Sequence, residues 1–323
     1  MKDIKKLVND SLTRYSYIHD FNERSDVEKL ITALAPHYGE TIPYLYQYMN
    51  GDRDYDRWCT TGGMEINKNV NIFIHNNCEL LIELFETFKD LPIKEEGRYT
   101  SYVDEEEFFK IIYDFLEAVN PELVALLKSI QEKGNLIRLE NYRTGEEIYD
   151  KKNDDIYLLV DRCNTVETMI SLMHELGHAY PDYLYKEYHE TYNPKKVLKI
   201  ESPSSILELL FIKYLIDNDL YQMEAQNYLT YYNNNIIKGA TSLIEILNNN
   251  NSEDKFKRTF NYCYGQLLAY HVILNNIPYK EIVTYIHENN IETIIQEIDI
   301  DVLRIHDEIN KNKNKEKIKR SIT

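Results

Sequence analysis

Apolar side chains recur at helical spacing over most of the chain, as in Ile42, Leu45, Tyr46 and Met49, and again in Leu80, Leu81, Leu84 and Phe85. Sharper start signals follow. Asp104 and Glu107 make a capping box ahead of Phe108, Ile111, Ile112, Phe115 and Leu116, which predicts a helix there. Asn120 as cap and Pro121 in the first turn predict a second helix that ends before Gly134. From 135 to 160 the period changes from helical to alternating, with a turn signal at Arg143-Thr144-Gly145 and a loop over 151–155. The run Ile156, Tyr157, Leu158, Leu159 and Val160 is the clearest strand. Helices then return over 165–180, 202–216, 220–247 and 255–274, with a last pair to the end. The pattern predicts a mainly α protein with a small β-sheet. A helical N-terminal region over 1–100 is expected to precede a second domain over 101–323, unless the two form a single integrated unit.

Composition narrows the partners. Gly 10 and Pro 8 in 323 residues are too few for a meander of short strands and tight turns. Lys+Arg 37 against Asp+Glu 54 gives a net charge of −17, which argues against nucleic acid and anionic membrane as partners. No stretch has the apolar length of a membrane span, and residues 1–20 lack the apolar core of a secretory signal. Cys59, Cys78, Cys163 and Cys263 show no paired spacing, so reduced cysteines in a cytoplasmic protein are expected. The basic run over 311–320 reads as a frayed, solvated helix end rather than a nucleic-acid arm.

The chemistry concentrates at His174-Glu175-Leu176-Gly177-His178. Residues i and i+4 share one helix face with Cβ atoms roughly 5–6 Å apart, so both imidazoles can reach one metal ion. Glu175 projects beside that pair, where it can hold an attacking water. Chance alone would give such a string in roughly 2% of chains of this composition, so context matters. Asn164 and Glu167 are expected to cap the helix, a strand precedes it, and Met169, Ile170, Leu172 and Met173 make it apolar. Two histidines in such a segment would each need a buried partner. A catalytic zinc takes three protein ligands and leaves one position open. Leu184 stands where a metzincin would carry its third His, and His189 lies in a charged, surface-like stretch. Glu201, opening the apolar helix through Ile206 and Leu207, is the better third candidate. Position alone leaves it either a ligand or a helix-start carboxylate favoured by the macrodipole.

On these residues the chain resembles the oligoendopeptidase F and thimet oligopeptidase family of zinc metallopeptidases. The likeness rests on the strand 156–160 leading into the HELGH helix and on Glu201-x-x-Ser204-x-x-x-Glu208. It also rests on the Tyr-rich segment Phe260 to Ala269 and on the helix Asn120 to Leu127. It spans about residues 100 to 275. The resemblance implies a zincin-like catalytic domain of the gluzincin kind that cleaves peptide substrates. It implies one zinc per chain held by His174, His178 and Glu201, with Glu175 as general base. Glu208 becomes a partner that orients a ligand histidine, and Tyr262 the oxyanion donor, with Tyr264 as the fallback. Residues Ile156, Tyr157, Leu158, Leu159 and Val160 would offer an edge strand for an extended peptide. Two departures keep a second reading open, a catalytically weak or inactive zinc- or peptide-binding protein on the same scaffold. The family's His upstream of the Tyr helix is missing from 251–260, and only residues 1–100 precede the matching region. His271, further along, reads as helical core.

Overall fold

Local signals and long-range pairing can be separated in the computed structural model, which describes residues 63–97, 100–139, 145–150, 155–185, 198–249 and 253–311. The expectations for Ile42 to Met49, Cys59, His189 and the run 312–320 lie outside the described residues. Contacts group the chain into two units. The described part of the first covers 100–185, and that of the second covers 63–97 and 198–311. Among the described residues the protein is mainly α with a small, three-stranded sheet, and the periodicity predicts that class.

In the first unit, α2 (Glu105–Val119) and α3 (Pro121–Glu132) begin where their caps predict; α1 belongs to the second unit. The Asp104 side chain accepts from the Glu107 backbone N–H at 3.0 Å. Asn120 ends α2 and starts α3, its side chain accepting from the Glu122 N–H at 3.1 Å. Gly134 sits at φ 72°, a left-handed conformation that suits glycine just past a helix end.

Strands β1 (Leu136–Leu139), β2 (Glu146–Asp150) and β3 (Asp155–Asp161) form a sheet of order β1-β3-β2. β1 pairs parallel with β3, placing Leu136 opposite Leu158. β2 pairs antiparallel, placing Glu146 opposite Leu159. This corrects the edge-strand expectation for Ile156, Tyr157, Leu158, Leu159 and Val160. β3 is the central strand, hydrogen-bonded on both sides, and all five residues are buried. An uninterrupted apolar run marks a strand covered on both faces, whereas an edge strand is free on one side and usually alternates. Among the described residues β2 is the antiparallel outer strand.

Helix α4 (Val166–Tyr185) follows β3. The expected Asn164–Glu167 box is replaced by a cap one residue later, where Thr165 Oγ1 accepts from the Thr168 N–H at 3.2 Å. Asn164 is engaged elsewhere, its carbonyl accepting from the Val103 N–H at 2.7 Å and its Oδ1 from Arg138 Nη2 at 2.6 Å. α4 runs past the expected end at Tyr180 and contains Pro181, which has no N–H to offer the preceding turn.

The second unit contains α1 (Gly63–Lys89), α5 (Ser202–Asp217), α6 (Gln222–Asn249), α7 (Glu253–Asn275), α8 (Tyr279–Glu288) and α9 (Ile291–Lys311). α5 packs chiefly on α7 and α6, and α1 on α6. The Phe260 ring meets Phe73 and Phe85 edge-on and stacks between Phe256 and Tyr264, so aromatic contacts tie α1 to α7. Cys78, Cys163 and Cys263 carry free thiols, and burial pushes that of Cys263 well above its ordinary range. Among the described residues no helix is long and apolar enough to cross a membrane.

Candidate functional site

α4 carries the site in the first unit because its apolar residues anchor it on the sheet. Met169, Leu172, Met173 and Leu176 are fully buried, which turns the face bearing His174 and His178 toward less enclosed surroundings. The two imidazoles lie one turn apart with ring centroids at 5.0 Å and planes at 75°. Their ligand atoms come within 4.8 Å of each other, a spacing that one metal ion can bridge. Glu175, between them in sequence, is 6% exposed. Its carboxylate lies in a nearly dry environment, where proton transfer and charge have larger effects than in water.

Two contacts hold the C-terminal half of α4. Asn120 Nδ2 donates to the Tyr180 hydroxyl at 2.7 Å, and that hydroxyl donates to Glu122 Oε2 at 2.7 Å. Burial raises the Tyr180 hydroxyl well above its usual range and the Glu122 carboxylate adds to the effect, so it remains protonated. The capping residue of α3 therefore also fixes the turn after His178.

Gly145, at the entry to β2, is a residue whose role the sequence pattern left unread beyond its turn signal. A Cβ there would stand 2.5 Å from Glu175 Cγ and 2.6 Å from Ser171 Oγ. Both distances are below any normal contact. The absence of a side chain lets the edge strand pass directly against the Glu175 side chain. A glycine at a strand end is itself the available signal for close approach.

In the second unit, Glu201 immediately precedes α5 with φ −84° and ψ −3°. Its side chain makes no capping bond to the helix amides, so the carboxylate is not acting as an N-cap. Its backbone is held firmly. Ser204 Oγ donates to the Glu201 carbonyl at 2.9 Å, Tyr279 to the Pro203 carbonyl at 3.1 Å, and Tyr232 to the Ser205 carbonyl at 3.0 Å. Lys199, two residues earlier and 3% exposed, donates to the Asn289 carbonyl at 2.6 Å and to the Ile286 carbonyl at 2.5 Å. Those carbonyls close α8, so the buried ammonium meets the negative end of a helix dipole. Gly265 of α7 completes the arrangement, since a Cβ there would stand 2.9 Å from the Glu201 carbonyl oxygen.

Glu208, two turns along α5, is half-buried. Burial raises the Tyr232 hydroxyl well above its ordinary value, and the Glu208 charge adds to the effect. On α7, Tyr262 is 41% exposed while Tyr264 is fully buried, its ring stacked on Phe260 at 5.2 Å and 9°. The two tyrosines thus point to opposite environments. Gln266, one turn along from Tyr262, is 5% exposed. His271 is core, as its helical position suggests. Its Nδ1 lies 2.9 Å from Asp301 Oδ2, and Arg304 and Asn275 bind the same carboxylate.

No family model matches the chain, and no curated protein matches it. A solved structure from Chlamydophila abortus, described as a candidate peptidase, aligns with a TM-score of 0.44 at 13% identity. The match covers 77% of this chain, which spans 56% of that one. A likeness at that level carries no argument about fold or activity.

Proposed function

We propose that this protein is a zinc-dependent endopeptidase or oligopeptidase, with His174, His178 and Glu201 as metal ligands and Glu175 as general base. The observation that carries the reading is the imidazole pair, one turn apart on α4 with the buried Glu175 carboxylate beside it. Two imidazole nitrogens and one carboxylate oxygen make a donor set suited to zinc, and leave one coordination position for substrate chemistry. Zinc bound by such a set polarises a carbonyl and lowers the pKa of water. Glu175 takes the proton of the attacking water and passes it to the leaving amine. Tyr262, whose exposure suits the role, donates a hydrogen bond to the developing oxyanion, with Tyr264 as the fallback. Glu208 orients a ligand histidine and so fixes its tautomer. β2, an outer strand of the sheet among the described residues, rather than β3, supplies main-chain hydrogen bonds to an extended peptide. The protein acts in the cytoplasm, apart from nucleic acid and membranes.

A panel of internally quenched peptides, assayed with wild type and Glu175→Gln at equal zinc loading, tests the reading. Hydrolysis by wild type and a loss of at least about 100-fold in the variant is the expected result. No hydrolysis by zinc-loaded wild type across the panel contradicts it and favours a zinc- or peptide-binding role.

A further inference from the structure

We infer that Gly145 is a positioning residue for Glu175, and that the residue leading into β2 must be a glycine for this carboxylate to occupy its place. The catalytic half of the inference rests on the peptidase reading; the steric half does not. Ser171 and Glu175 lie one turn apart on α4, and both side chains face the same point at the start of β2. At that point the strand offers only backbone. A methyl group would need space already filled by Glu175 Oε1 and Cγ and by Ser171 Oγ. The backbone on either side has little freedom to retreat. β2 is tied to β3 by the register from Glu146 opposite Leu159 to Asp150 opposite Asp155. The helix is tied by Met169, Leu172 and Met173, all fully buried. Gly145 has an ordinary negative φ or extended backbone, so no left-handed conformation demands glycine there. The demand is for space alone.

The part of the structure that yields most readily is therefore the tip of the Glu175 side chain. Gly145→Ala should turn the carboxylate aside while leaving His174 and His178 on their helix. Displacing a reacting group by about 1 Å can cost roughly 100-fold in rate. Because Glu175 acts on a proton rather than on peptide binding, the loss should fall on kcat.

Crystal structures of wild type and Gly145→Ala provide the direct test. The inference expects the Glu175 carboxylate in a different rotamer in the variant, with both histidines unmoved. A carboxylate in its wild-type place, with the added methyl group accommodated beside it, overturns the inference. If Gly145→Ala does not fold, Gly145→Ala combined with Ser171→Ala and Glu175→Ala decides the matter. Recovery of folded protein on trimming those side chains supports the steric claim, and continued failure refutes it. In parallel, Gly145→Ala should keep wild-type zinc content and KM while kcat falls roughly 10- to 100-fold. A raised KM at unchanged kcat would overturn the positioning role. Should wild type hydrolyse no peptide, the functional proposal fails, while the rotamer comparison still judges Gly145.

Discussion

Gly265→Ala opposes two effects of known size. Alanine in place of an interior helix glycine ordinarily stabilises by about 1 kcal/mol. Here the new methyl group would stand 2.9 Å from the Glu201 carbonyl oxygen, 3.1 Å from Ser205 Oγ and 3.2 Å from the Glu201 carbonyl carbon. Ser205 Oγ can rotate, but the Glu201 backbone is less free. The turn it opens is pinned by Tyr279, Tyr232 and Ser204, and the preceding segment by Lys199. Overpacking of this kind costs about 1–3 kcal/mol, so the middle of the range leaves a net destabilisation of about 1 kcal/mol. By calorimetry that is a fall in Tm of about 1–2 °C for a chain of 323 residues. The same push moves the Glu201 backbone by a few tenths of an ångström, so zinc affinity should fall as well. A Tm above that of wild type, the ordinary response of an unobstructed helix glycine, would refute the claim that this glycine exists for the close approach of α7 to Glu201.

Thr165→Ala should cost about 1 kcal/mol by denaturant titration, because Thr165 caps α4, while exposed Glu167→Ala should stay within about 0.5 kcal/mol. Equal losses would restore the Asn164–Glu167 box. Burial alone would raise the Asp301 carboxyl, but hydrogen bonds from Asn275 and Arg304 and the charges of Arg304 and His271 hold it below its usual value. A depressed folded value means stabilisation that is present above the unfolded value of about 3.9 and lost as pH falls through the folded one. Asp301→Asn should therefore lower stability at pH 7 and flatten the decline below about pH 4, and an unchanged acid limb would contradict this. Tyr262→Phe should lower kcat by roughly 10²–10³ while Tyr264→Phe leaves kcat unchanged. The reverse outcome would move the oxyanion role to Tyr264.

Helix starts proved readable where a single short-range cap signal stood without a competitor. Asp104 and Asn120 each cap a helix within three residues of themselves, so their sequence neighbours suffice. Asn164 and Thr165 show the limit of that reasoning, since either could cap α4. The outcome depends on Val103 and Arg138, distant in sequence, which engage Asn164. The strand 156–160 was legible as a strand, but its place in the sheet depends on partners on both sides. Its unbroken apolar run was the evidence for a central strand, and the expectation of an edge passed over it. The HELGH pair was legible because helical geometry alone places its imidazoles together. The importance of Gly145 and Gly265 was not, because what each accommodates is a side chain or a carbonyl from another segment.

The central claim is a metal held by the two histidines of α4. Elemental analysis of protein purified without chelator, wild type beside the double variant His174→Ala, His178→Ala, tests it most directly. The account predicts one zinc per wild-type chain and less than about a tenth of that in the variant, since a lone carboxylate cannot replace three ligands. Equal zinc in both proteins, or none in wild type after zinc is supplied, would contradict it.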